Sequence, residues 1–202
     1  RKLPQGSLFF DGEDIGTRPA DMRRRIGVLS APDERLGHAA APNMSLTENA
    51  ALTAARRQGM LSRGFVNWGA AKGFAEKVIG AFDVRTPGPG VAARALSGGN
   101  LQKFVIGREV MQAPEVLIVN QPTWGVDAAA AAFIRQSMLD LAAKGTGVVV
   151  ISQDLDELME ISDRFAALNE GRLSAEVPTG DLTMEKIGLM LGGAQTTAME
   201  QA

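Results

Sequence analysis

The chain has 202 residues, 21 Lys+Arg against 23 Asp+Glu, a formal net charge of -2 and 45% hydrophobic residues, enough for one α/β domain with a substantial core. Near-neutrality argues against a broad nucleic-acid surface, no apolar run approaches the roughly 20 residues of a membrane span, and Arg1-Lys2-Leu3-Pro4-Gln5-Gly6 is not the apolar opening of a signal peptide. Cysteine is absent, which excludes a disulfide framework and a thiolate metal site and permits a reducing compartment.

In chain order, the basic run Met22-Arg23-Arg24-Arg25 reads as a solvated helix or turn face, and Ile26-Gly27-Val28-Leu29 as the first buried strand. Ser45 followed by Glu48 has the capping-box spacing and predicts a helix start. From there to about residue 112 the pattern is helical, with helices predicted near residues 46–57, 70–82 and 100–111 and no strand among them. This stretch reads as a helical subdomain, about 45–112, inserted in the α/β core. Thr86-Pro87-Gly88-Pro89-Gly90 breaks it with a loop.

Val116-Leu117-Ile118-Val119 and Gly147-Val148-Val149-Val150-Ile151 are short β-branched runs, suited to strands buried on both faces of a mostly parallel sheet. Between them Ala131, Ile134, Met138 and Leu141 recur at helical spacing, predicting a helix over 128–144 closed by Gly145 and hence a strand-helix-strand crossover. Asp154 followed by Glu157 marks another helix start. Strand candidates over 164–168 and 172–177 flank Asn169-Glu170-Gly171, a hairpin expected at the sheet edge, and residues 194–202 read as a disordered tail.

The chemistry concentrates in Leu96-Ser97-Gly98-Gly99-Asn100-Leu101-Gln102-Lys103. Two glycines and a hydroxyl at a helix mouth offer free N–H groups and the positive end of the macrodipole to an anion. A Ser-capped helix with a flexible entry is the plainer account of the triplet alone. Its setting decides otherwise. With the strand ending in Asn120-Gln121-Pro122-Thr123-Trp124-Gly125-Val126-Asp127, and with residues 149–157 in the switch position, the string resembles the signature, Walker B and D-loop order of the ATP-binding cassette family. The resemblance runs from about Gly6 to Gly193. Pro32-Asp33-Glu34-Arg35-Leu36-Gly37 and Pro42-Asn43-Met44-Ser45-Leu46-Thr47-Glu48-Asn49 look like the second cassette of tandem ATPase subunits in simple-sugar and nucleoside importers, though the two acids stand here in the order Asp33-Glu34. The D-loop form and the Asn-Leu-Gln-Lys ending are more similar to the nucleoside branch.

That resemblance implies an α/β fold of the P-loop NTPase type, with residues 1–193 a partial nucleotide-binding domain. No Gly-x-x-x-x-Gly-Lys-Ser/Thr string occurs, so no P-loop lysine can be named, and the chain is expected to begin just after that segment. Where the family has a Walker B aspartate, a catalytic glutamate and a switch histidine, this sequence has Asn120, Gln121 and Gln153. An amide takes no proton from attacking water near neutral pH and is a poorer partner than a carboxylate for hydrated Mg. The catalytic set is thus expected to be degenerate, with ATP and Mg belonging to the assembled transporter rather than tightly bound here.

The resemblance implies a role in trans. Ser97, Gly98, Gly99, Asn100 and Gln102 would meet ATP held by the partner cassette of the same tandem chain, Asp127 would reach across from the D-loop, and Pro32, Asp33, Glu34 and Arg35 would couple to membrane permease subunits at the cytoplasmic face of the inner membrane. Nucleic acid is not an expected partner, and no metal ligand set is expected. Two other classes stay open: a noncatalytic interaction domain that binds a partner cassette or permease without nucleotide, and a soluble cassette ATPase of repair or translation type, disfavoured by the absence of a basic excess or a long coiled-coil insertion. Of the remaining residues, His38 reads as a solvated loop residue, Trp68 as packed in the helical insertion, Trp124 as packed at a domain interface, and Asp154, Asp156 and Glu157 as helix-capping acids rather than a cation site.

Overall fold

The computed structural model describes residues 3–193 and divides into two compact units after Ile151. The first unit opens with a hairpin, β1 (Phe9–Phe10) and β2 (Glu13–Asp14), whose turn residues Asp11 and Gly12 both take positive φ, as a tight two-residue turn requires. There follow α1 (Ala20–Arg25), β3 (Val28–Ala31), α2 (Leu46–Ala54), a small hairpin of β4 (Leu61–Ser62) and β5 (Phe65–Val66), α3 (Trp68–Ala81), α4 (Gly98–Val110), β6 (Val116–Asn120), α5 (Ala128–Ala142) and β7 (Gly147–Ile151).

Strands β3, β6 and β7 form a parallel sheet in the order β3-β6-β7, with Leu29 opposite Leu117 and Leu117 opposite Val148. The β6-α5-β7 crossover is the one the sequence predicts. Leu29, Ala31, Leu117 and Val119 are all 3% exposed or less. The other face departs from the expectation of full burial: Val149 and Ile151 are 49% and 51% exposed. An apolar run shows that a strand is buried, not on how many faces.

Between β3 and β6 lie the helices α2, α3 and α4 with their connecting loops and the β4–β5 hairpin, which the sequence reading misses because two-residue strands carry no period. Helix α2 begins with the predicted capping box: Ser45 Oγ accepts from the Glu48 amide at 3.1 Å, and Glu48 Oε2 accepts from the Ser45 amide at 2.7 Å. Helix α4 is the axis of this region, with Leu101, Phe104, Val105 and Ile106 at 2% exposure or less. At Gly107 a Cβ would stand 2.5 Å from ring atoms of Phe82, so the missing side chain lets that ring press on the helix. Phe82 in turn meets Phe133 edge-on at 5.3 Å, joining α3, α4 and α5.

Of the run expected to be a solvated face, Met22 and Arg25 are exposed, whereas Arg23 and Arg24 turn inward. Arg23 donates to the carbonyls of Ile15 and Gly16, and Arg24 to the Thr53 carbonyl and the fully buried Glu109 carboxylate. Guanidinium forks satisfy several acceptors at once, so Arg23 pins α1 to the 15–16 segment and Arg24 pins it to α2 and α4.

The second unit contains α6 (Leu155–Ile161), strands β8 (Arg164–Phe165), β9 (Leu168–Asn169), β10 (Arg172–Leu173) and β11 (Val177–Pro178), and α7 (Met184–Leu191). Asp154 caps α6, accepting from the Glu157 amide at 3.0 Å, but Glu157 closes no box; its carboxylate accepts from Ser152 Oγ at 3.0 Å. The predicted hairpin forms around Glu170 and Gly171, both at positive φ. Its strands β9 and β10 pair antiparallel as a two-stranded sheet. The tail expected over 194–202 lies outside the described residues.

Candidate functional site

Helix α4 starts two residues earlier than predicted, with Gly98 and Gly99 inside its first turn and Ser97 at the N-cap. An N-cap serine ordinarily accepts from the second or third helical amide. Ser97 does not: its Oγ accepts from Asn100 Nδ2 at 2.9 Å, and no side-chain cap bond forms. Asn100 is itself held by its Oδ1, which accepts from the Arg85 amide at 2.8 Å. The first amides of α4, which no helical carbonyl can satisfy, lie at this helix end beside the Ser97 hydroxyl that Asn100 holds. Ser97 and Gly98 are exposed.

Two further segments converge on this helix end. Arg35, on the loop after β3, donates from Nε to Gln102 Oε1 at 3.0 Å and from Nη2 to the Trp124 carbonyl. Its guanidinium lies where a Cβ on Gly98 would come within 2.6 Å of Nη1 and one on Gly125 within 3.2 Å of Nη2. Gln102, expected to meet ATP in trans, stands on the buried side of the helix. Only 1% exposed, it accepts from Arg35 and donates to the Pro122 carbonyl at 2.8 Å, joining α4 to the 121–127 loop.

That loop begins at the end of β6 with Asn120 and Gln121, the latter in a left-handed conformation (φ 51) and donating its amide to the Ile151 carbonyl at 2.7 Å. Asn120 and Gln121 offer carbonyl oxygens without charge. Among the described residues no group of three or more His, Asp or Glu side chains converges to hold a metal. This donor set does not fit a Mg ion of the chain's own. Gln153, in the second unit, is exposed.

No family model matches the chain. It is 38% identical over 201 residues to a glucose import ATP-binding protein of Haloferax volcanii, covering 98% of this chain and 36% of that one. It is 33% identical over 194 residues to a guanosine import ATP-binding protein of Bacillus subtilis, covering 96% of this chain and 38% of the relative. The chain therefore spans little more than a third of the length of these curated relatives. Among solved structures, it matches a dimeric post-hydrolysis ATP-binding cassette bound to ADP and Pi with a TM-score of 0.67 at 20% identity, over 85% of this chain and 72% of that one. A nucleotide-free cassette of an ABC transporter matches with a TM-score of 0.63 at 21% identity, over 91% and 72% of the two chains. The fold is that of an ATP-binding cassette.

In the cassette, Asp127 caps α5, its Oδ1 accepting from the Ala130 amide at 2.9 Å. That backbone hydrogen bond, helped by the charge of Lys103, holds its carboxyl below the ordinary value of 3.8. A carboxyl lowered on folding contributes stability above its unfolded pKa and loses it as pH falls from about 4 through the folded value. Asp127→Asn keeps an acceptor at the cap but cannot titrate. Urea unfolding followed downward from about pH 5 should therefore lose stability less steeply in the variant than in the parent; equal slopes would remove Asp127 from the acid response.

The other expected residues sort by the direction they face. Asp33 and Glu34 are exposed, and Glu34 pairs with His38 at 2.8 Å, both on the surface as a solvated His38 requires. Trp68 is 54% exposed rather than packed in the insertion, and Trp124 is 70% exposed in this chain. The cassette's least legible residue is Arg35. Its inward aim leaves one trace in the sequence, the glycines at 98 and 125 that make room for it.

Proposed function

We propose that the chain is the second, degenerate cassette of an importer for nucleosides or simple sugars, and that it completes the ATP site of a partner cassette in the same tandem protein. The observation that carries this reading is the open N-terminus of α4, where Ser97 is oriented by Asn100 rather than spent on capping. Similarity to glucose and guanosine import ATP-binding proteins supplies the transport context. Phosphoryl transfer is catalysed chiefly by positioning and by dipoles aimed at charge on the transferring group. Ser97 and the amides of Gly98 and Gly99 supply such dipoles to a γ-phosphate presented by the partner, and Asp127 faces the partner from the D-loop. With amides at Asn120, Gln121 and Gln153, the chain carries no general base at the sequence positions where the family pattern has its acidic and switch groups. ATP and Mg are then held by the partner cassette. Among the described residues no helix is long and apolar enough to cross a membrane, which suits a peripheral subunit docked on permease subunits at the cytoplasmic face of the inner membrane.

The test is a titration with a fluorescent ATP analogue and a phosphate-release assay on this chain alone, on the partner cassette alone, and on the mixture. Alone, this chain should release no phosphate. Adding it should tighten the partner's nucleotide affinity at least tenfold, and Ser97→Arg should abolish the gain. An assembled mixture in which the partner's affinity and turnover do not change would make the chain an interaction domain that never touches nucleotide.

A further inference from the structure

The loop after β3 is fastened at two points along α4. At its start, Arg35 bonds Gln102 in the second turn of the helix and the Trp124 carbonyl in the 121–127 loop, its head seated between Gly98 and Gly125. Further on, Arg108 donates from Nη2 to the Ala39 carbonyl at 2.8 Å and from Nη1 to the Asn49 carbonyl at 3.0 Å, and its own charge is matched by Glu109 at 2.9 Å. Arg108 and Gln102 stand six residues apart on one helix, about 9 Å of rise. Within the loop, the Ala39 and Ala40 amides donate to the carbonyls of Glu34 and Arg35 at 3.0 and 2.8 Å. The exposed Asp33 and Glu34 are therefore carried on a short closed loop whose two attachments both end on the signature helix.

We propose that Arg35 is a positioning residue for the ATP site: by tying the 32–37 loop to Gln102 and to the Trp124 carbonyl, it makes that loop, the Ser97–Gly99 helix mouth and the 121–127 loop move as one piece. The assignment rests on the trans role proposed above. Arg35 touches no reacting atom. It acts through Gln102, whose Nε2 also holds the Pro122 carbonyl, so one side chain connects all three segments. Arginine is required because two acceptors in different segments are bonded by different nitrogens of one rigid, planar head. Lysine has a single nitrogen at the end of a flexible stem.

The experiment is ATPase kinetics of the assembled transporter carrying Arg35→Ala, Arg35→Lys, Gln102→Ala, or the Arg35→Ala/Gln102→Ala pair, with Ser97→Arg run in parallel. A residue that sets geometry for the transition state lowers kcat more than KM. Arg35→Ala should lower kcat at least tenfold and change KM for ATP less than threefold. Arg35→Lys should not restore the rate. Residues acting as one unit are not additive, so the double variant should fall no more than twofold below the worse single one. Amide hydrogen exchange in peptides covering 97–101 and 121–127 should speed up at least tenfold in Arg35→Ala, with exchange in β6 unchanged. If Arg35→Ala does not assemble, Arg35→Gln, which keeps length and polarity but not the fork, takes its place in every arm. A normal kcat with unchanged exchange, a lysine rescue, or multiplicative losses in the double variant would each overturn the proposal. If Ser97→Arg remains active, the trans reading fails instead, and the exchange measurement still decides whether Arg35 joins the three segments.

Discussion

Arginine at position 97, or aspartate at position 99, is expected to lower ATP turnover of the assembled transporter at least roughly a hundredfold, because losing a single oriented donor costs about 3 kcal/mol of transition-state stabilisation. Exclusion of the phosphate costs more than that. The structure makes these variants informative because the fold tolerates them. Ser97 is exposed, its hydroxyl caps nothing, and a Cβ at Gly99 meets its nearest neighbour, Val126, only at 3.9 Å. Gly98 is the poorer choice, since a side chain there meets the Arg35 guanidinium. Asn120→Ala lies at the end of β6, in the half-site proposed to be degenerate, and is expected to slow turnover by less than about tenfold. The measurement is phosphate release at saturating ATP, with unfolding curves in parallel to show that each variant is folded. A crippled Asn120→Ala beside near-normal signature variants would move the active half-site to this chain and end the trans assignment.

What the sequence makes legible here follows from how local each cause is. The α2 capping box is a contact between residues three apart, and the turn at Glu170 and Gly171 is a matter of two dihedrals, so both are readable from the string. The β6-α5-β7 crossover is readable because one helical and two strand periods follow each other without interruption. The start of α4 is harder: two glycines look like a break, yet tertiary packing of Leu101 and Phe104 outweighs their low helix propensity. Gln102 shows the other limit. Sequence order places it in a motif beside Ser97, while helix geometry turns it onto the buried face, where Arg35 and the Pro122 carbonyl are its partners. Those partners lie 67 and 20 residues away. No local pattern encodes such a pairing, and the same holds for Arg24 with Glu109, 85 residues apart.

The 32–37 loop gives the second large effect, and its residues divide by direction. Arg35 points inward, whereas the Asp33 and Glu34 side chains are exposed, Glu34 pairing with His38 on the surface. An exposed pair of this kind contributes about 0–1 kcal/mol, so replacing both acids with alanine should barely change folding stability. If the loop docks on a permease subunit, as proposed, their removal acts at that contact instead. In the complete transporter, Asp33→Ala/Glu34→Ala is expected to reduce solute uptake into vesicles at least tenfold while ATP hydrolysis stays within about twofold of the parent, because Arg35, Gln102 and the α4 mouth are untouched. The contrast with Arg35→Ala is the useful part of the design. Loss of the outward acids separates hydrolysis from transport, whereas loss of the inward arginine slows hydrolysis itself. Uptake and phosphate release measured on the same vesicles distinguish the two, and a double-acid variant with both activities intact would show that the loop's exposed edge is not where the cassette meets its membrane partner.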